Sequence, residues 1–134
     1  MPLYQDALMS KPTVAILGAS ADRSKFGNKS LRAHTAAGYE VYPVNPKGGA
    51  IEGLSVYRTL ADVPEGHLNR VSVYLPPAVG LGMLDQIAQR GCDEVWFNPG
   101  SESGEIMARA RQLGLRAIAD CSIVDLGMSP SEFP

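Results

Sequence analysis

A chain of 134 residues with 45% hydrophobic content has the size of one compact domain with a substantial core, which predicts a single domain over residues 1–134. Twelve Lys and Arg against fourteen Asp and Glu leave a net charge of −2, which excludes the basic footprint of a nucleic-acid binder or a polybasic membrane surface. Cys92 and Cys121 form no C-x-x-C pair and no apolar run reaches the ~18 residues of a membrane span, so neither a metal site, a disulfide framework nor a membrane segment is expected, and the location predicted is cytoplasmic.

Residues 1–12 predict a short helical lead-in, with Tyr4, Leu8 and Met9 at helical spacing and Pro12 closing the segment. Thr13 to Leu17 is a strand that stops abruptly at Gly18-Ala19-Ser20, and Ser24 to Ala37 reads as the helix that follows, ended by Gly38. A strand, a glycine turn and a helix start aim backbone N–H groups and the positive end of a helix dipole at one spot, which favours a phosphate. The G-x-G-x-x-G fingerprint is absent, and Gly27, the next glycine, stands too far along to do the third glycine's packing. Tyr39 to Val44 is the second strand. It lacks a terminal acid for a ribose hydroxyl and runs into Asn45-Pro46-Lys47-Gly48-Gly49, where a cation suits a phosphorylated ribose, as in coenzyme A or NADP. Pro43 removes one ladder donor and requires a gap in pairing or a sheet edge. Arg23, Lys25, Lys29 and Arg32 near the glycine turn fit a small anionic ligand better than a polymer.

Ser55 to Tyr57 predicts a short third strand, and Thr59 to Asp62 one helical turn. Arg70 to Leu75 alternates as a strand and ends at Pro76-Pro77; Val79, Met83, Leu84, Ile87 and Ala88 then form the buried stripe of a helix reaching Gly91. Asp93 to Asn98 is the next strand, with Trp96 and Phe97 in the core, stopped by Pro99-Gly100. Ser101 or Ser103 caps a helix with Ile106, Ala110 and Leu113 inward, Leu115 to Ala119 is the last strand, and residues 121–134 are a tail of unassigned structure. Strands alternating with helices predict an α/β fold: a three-layer, Rossmann-like, doubly wound parallel sheet of five to six strands, order 3-2-1-4-5 with room for a sixth. Ligands of such sheets bind beyond the carboxyl ends of the strands, the edge shared by Gly18-Ala19-Ser20, Asn45-Pro46-Lys47, Leu75-Pro76-Pro77 and Asn98-Pro99-Gly100.

These turns resemble those of the coenzyme A-binding domain family, the Rossmann-like module of small stand-alone bacterial proteins, succinyl-CoA synthetase α subunits and ADP-forming acyl-CoA synthetases. The matching stretches are VAILGAS (14–20), KFGN (25–28), YPVNPKG (42–48), LPP (75–77) and VWFNPG (95–100). The resemblance implies that Gly18, Ala19 and Ser20, with Lys25, hold the diphosphate of coenzyme A. It also implies that Asn45, Pro46 and Lys47 meet the adenosine end, Lys47 taking the 3′-phosphate. Leu75, Pro76 and Pro77 would line the ligand's path, and Asn98, Pro99 and Gly100 would border the pantetheine arm through backbone groups.

The synthetases need a phosphorylated histidine carried outside this module. His34 reads as a helix position and His67 as a loop residue, both away from the ligand edge, so the chain alone is expected to bind without catalysis. It would act as a carrier, a sensor, a homo-oligomer or a subunit serving an acid–thiol ligase chain. The rival is an NADP-dependent oxidoreductase, against which stands the absence of a catalytic Tyr-x-x-x-Lys pair. Cys121, just past the last strand, is on the same edge, where a mixed disulfide with the coenzyme thiol is conceivable; a small buried thiol is the plainer reading. Ser20 has no neighbour in sequence to activate it and suits a phosphate donor better than a nucleophile.

Overall fold

The computed structural model describes residues 11–134, so the lead-in expected over 1–12 lies almost wholly outside the described residues. The first β-α-β unit comprises β1 (Thr13–Leu17), α1 (Phe26–Ala36) and β2 (Glu40–Val44). A two-strand hairpin follows, β3 (Ala50–Ile51) and β4 (Leu54–Ser55), then a 3-10 turn at Leu60–Asp62. The second half runs β5 (Arg70–Val73), α2 (Pro77–Leu81), α3 (Leu84–Arg90), β6 (Glu94–Phe97), α4 (Gly104–Gln112), β7 (Ala117–Ile118) and α5 (Ser122–Asp125). Five strands form one parallel sheet in the order β2-β1-β5-β6-β7, with the winding direction reversing between β1 and β5.

Helices cover both faces, and the inner strand β1 is apolar on both. Ala15, Leu17, Val71, Val73, Val95 and Phe97 pack against Leu84, Ile87, Ile106 and Ala110 of α3 and α4. On the opposite face Val14, Ile16 and Val41 pack with Leu31 of α1 and Ile51 of the hairpin. Trp96 and Phe97 are buried, as expected of core residues.

Two expectations are corrected. Ser55 to Tyr57 adds no strand to the sheet: Glu52 (φ 48°) and Gly53 (φ 80°) are both left-handed, the backbone of a tight type I′ hairpin, so Leu54 and Ser55 fold back onto Ile51 and Ala50. Only Tyr57 reaches β2, through one parallel bridge to Val44, with Tyr57 N–H donating to Pro43 O and Asn45 N–H to Tyr57 O, each 2.9 Å. The strand order is therefore 2-1-5-6-7, and the sheet has an edge at β2. Pro43 sits on that edge with its nitrogen turned away from β1, so no ladder bond is lost.

The segment after Pro76-Pro77 is two helices, broken at Gly82-Met83. Because α2 starts on Pro77, it turns Gly80 inward against Ile106 and Val73, which leaves Val79 52% exposed and outside the core. The tail, unassigned from sequence, has structure: α5 and a 3-10 turn at Pro130–Glu132 whose start carries a Ser129/Glu132 capping box. Arg32 ties its end to α1, donating to Phe133 O (3.1 Å) and Pro134 O (3.0 Å) as well as to Arg23 O and Asn28 Oδ1. Arg32 is thus spent on structure, and Arg23 stands 3.7 Å from Glu52, so neither is a free cation for a ligand. Ser103, of the two serines considered, caps α4 by accepting from Ile106 N–H (3.1 Å).

Among the described residues no helix is long and apolar enough to cross a membrane, and no group of three or more His, Cys, Asp or Glu is placed to hold a metal ion.

Candidate functional site

The carboxyl ends of β1, β2, β5 and β6 open on one cleft of about 530 Å³. Its lining combines Gly18, Ala19 and Ser20 after β1, Lys25, Phe26 and Gly27 at the start of α1, Asn45 after β2, Tyr74 to Pro77 after β5, and Pro99 to Ser101 after β6. Four separate turns meet here because every crossover returns the chain to the opposite edge of the sheet, and the reversal between β1 and β5 parts the crossovers to leave a crevice.

Close backbone contacts shape the floor. A Cβ on Gly27 would stand 2.3 Å from Gly18 O, and one on Gly18 (φ 85°) 2.5 Å from Tyr74 O. Gly27 therefore performs the close helix-to-strand packing for which sequence spacing judged it too distant. The intervening residues loop outward, held by an Asp22 turn in which Asp22 Oδ1 accepts from Ser24 N–H (2.9 Å) and Oγ–H (2.6 Å); those bonds hold the Asp22 carboxyl below its usual range.

The start of α1 suits an anion. Lys25, at the cap position, makes no side-chain cap, and no acidic residue stands in the first turn. Among the described residues, Phe26 and Gly27 N–H make no backbone hydrogen bond. Gly18 and Ala19 N–H are engaged instead, both pointing at Val44 O (3.3 and 3.4 Å). Ser20 Oγ accepts from Asp22 N–H (3.1 Å), leaving its own hydrogen to donate. The first turn of α1 and the Ser20 hydroxyl thus keep hydrogens to donate, beside the Lys25 charge.

Asn45 clamps two turns, its Nδ2 donating to Ala19 O and its Oδ1 accepting from Lys47 N–H, both at 2.8 Å. Pro46 and Lys47 lie exposed beyond the cleft's lining. Asn98 stands behind the wall: fully buried, it donates to Ser72 Oγ (2.8 Å) and Val73 O (3.0 Å) and accepts from Ser122 N–H (2.8 Å) and Oγ–H (2.9 Å). Its carbonyl takes Ser101 Oγ–H (2.6 Å), so its backbone and side chain alike are consumed internally. Ser122 Oγ also meets Tyr74 OH (3.2 Å), which braces a cleft-lining ring from α5; burial raises the Tyr74 phenol, keeping it protonated.

Sequence reading missed Phe26, Gly27, Tyr74 and Ser101 as lining residues. Phe26 and Gly27 lay in the matched KFGN stretch; Tyr74 and Ser101 adjoin matched turns and carry no signal of their own. Both histidines lie off this edge. His34 is buried beneath α1, its Nδ1 2.8 Å from Ser30 O, and burial lowers its imidazole to about 4. His67 pairs with Asp93 (2.9 Å) at the amino edge of the sheet. Cys121, half-buried at the cap of α5, is absent from the cleft's lining, and burial pushes the Cys92 thiol up to about 11.

Residues 12–127 match the family model described as the CoA binding domain. The chain belongs to the CoA-binding domain family. This CoA-binding domain is 37% identical over 120 residues to a trans-feruloyl-CoA synthase from an unknown prokaryotic organism, a match covering 85% of this chain and 16% of that protein. It is 29% identical over 129 residues to the alpha subunit of ADP-forming acetate–CoA ligase I from Pyrococcus furiosus, covering 84% of this chain and 28% of the subunit. The chain thus spans well under a third of the length of these curated relatives. A conserved hypothetical protein from Pyrococcus furiosus superposes with a TM-score of 0.77 at 32% identity, over 87% of this chain and 99% of that one.

Proposed function

We propose that this CoA-binding domain takes coenzyme A, free or acylated, across the strand edge and performs no chemistry of its own. The observation that carries the reading is the uncapped, acid-free start of α1 packed through Gly27 onto the Gly18 turn, which leaves an anion site at the floor of the cleft. The diphosphate lies there, against the first turn of α1, Ser20 and Lys25. Asn45, Pro46 and Lys47 lead to the adenosine end, with Lys47 at the 3′-phosphate. Leu75, Pro76, Pro77, Pro99 and Gly100 line the pantetheine arm, and Asn98 holds that wall from behind.

Absence of catalysis is supported by the chemistry of the cleft. Among the described residues its lining includes no His, Asp, Glu or Cys and offers no base to Ser20, and the buried Tyr74 phenol stays protonated. The domain is read as one unit over residues 1–134, working in a reducing cytoplasm where Cys92 and Cys121 remain free thiols.

Calorimetric titration with coenzyme A, dephospho-coenzyme A and NADP tests the reading. Coenzyme A binding tightest, with loss of affinity on removal of the 3′-phosphate, is the expected outcome; binding by NADP alone would return the chain to the oxidoreductases. A second role, supplying this domain to a separate ligase chain, is favoured by the length of the curated relatives, in which the matched region is a minor part. Co-purification with an acid–thiol ligase chain would support it, and a lone stable homo-oligomer would count against it.

A further inference from the structure

The turn after β2 carries a second cation that the pattern of the sequence conceals. Arg58 is distant from Lys47 in the chain, yet the single bridge between Tyr57 and Val44 places it at the carboxyl end of the sheet's β2 edge. Its Nη1 donates to Pro46 O at 3.1 Å, and its guanidinium lies across Gly48, where a Cβ would stand 3.0 Å from Nε and 3.1 Å from Nη2. Gly48 lets the guanidinium lie flat on the turn. Among the described residues, neither Arg58 nor Lys47 is in an ion pair, whereas Arg23, Arg70 and Arg109 each face a carboxylate. Two unneutralised cations thus flank one short turn that is joined to the cleft through Asn45, whose Oδ1 holds Lys47 N–H and whose Nδ2 holds Ala19 O.

From this we infer that Arg58 is a specificity-determining residue, forming with Lys47 a two-cation clamp for a phosphomonoester on the ligand's ribose. The inference rests on the coenzyme reading above and extends it. One bond to Pro46 O uses one of the five guanidinium N–H donors, so a phosphate meets a group already oriented by the turn, with donors left over. A planar guanidinium and a compact ammonium approaching one phosphate divide the work: the first fixes direction, the second adds charge. The clamp discriminates between ribose phosphate and ribose hydroxyl without touching the diphosphate.

The test compares coenzyme A with dephospho-coenzyme A, and NADP with NAD, by calorimetry on the wild type, Arg58→Ala and Arg58→Lys. Arg58→Ala is expected to shrink the preference for coenzyme A over dephospho-coenzyme A roughly tenfold while leaving dephospho-coenzyme A affinity nearly unchanged. Arg58→Lys is expected to restore part of the preference, because it keeps the charge and loses the fork. A merely structural role for Arg58 in bracing the turn would weaken both ligands of a pair equally, and that result, or an unchanged preference, overturns the clamp. A wild type that binds none of the four ligands overturns the coenzyme reading itself and the clamp with it. A preference expressed only for NADP over NAD, and lost in Arg58→Ala, would keep the clamp and overturn the coenzyme reading alone.

Discussion

Gly27 and Gly18 touch backbone to backbone: the hydrogen of Gly27 stands where a Cβ would come within 2.3 Å of the Gly18 carbonyl oxygen. Helix α1 can approach the end of β1 only because that carbon is missing, and the approach sets the height of the helix start above the cleft. Gly27→Ala is therefore expected to push α1 away from the turn, destabilising the fold by about 1–3 kcal/mol and weakening coenzyme A binding. Urea denaturation and calorimetry on the same variant check both, and an unchanged affinity would detach the helix start from the ligand.

Lys47, exposed and outside any ion pair among the described residues, offers its charge without structural cost. Lys47→Ala should leave thermal stability unchanged and weaken coenzyme A by roughly 1–3 kcal/mol, with little effect on dephospho-coenzyme A. Equal losses for the two ligands would remove Lys47 from the 3′-phosphate.

Asn98 is the hub of a buried network joining Ser72, Val73 and Ser122. Asn98→Ala would strand Ser122 N–H in a dry site and take the amide donor away from Ser72 Oγ, at an expected cost of roughly 2–4 kcal/mol. Chemical denaturation measures it; a loss below about 0.5 kcal/mol would mean that α5 is held by packing rather than by Asn98.

His34 makes stability depend on pH. Burial lowers its imidazole to about 4 in the folded protein from an ordinary 6.5, so between those values the unfolded chain binds the extra proton. The contribution of His34 is complete above about pH 6.5 and is lost progressively as pH falls toward 4, by roughly 3 kcal/mol in total. His34→Gln should flatten that part of the stability profile relative to the wild type. Denaturation at pH 7 and pH 4.5 compares the two, and parallel losses would assign the acid sensitivity to other groups.

The alternation of apolar strands with capped or glycine-ended helices was enough to predict a doubly wound parallel sheet, because the two-faced burial of Val14 to Leu17 is written in consecutive apolar residues. The Gly18 turn, Asn45 and the Leu75-Pro76-Pro77 turn were legible as lining of that edge because each follows the end of a strand, and parallel winding sends every strand end to one edge. Relationships between distant residues were not legible. Gly27 reads as misplaced until the loop between it and Gly18 is closed in space. Arg58 reads as a surface charge until one bridge from Tyr57 sets it beside Lys47. Asn98 reads as a turn residue at the ligand edge until its amide is seen spent on Ser72 and Ser122. Local pattern determined which elements form and which edge collects their turns, since propensity and periodicity act over a few neighbours. Only the tertiary structure decided which polar groups at that edge are consumed by the protein and which remain for a ligand, since hydrogen-bond partners are chosen by packing and not by proximity in sequence.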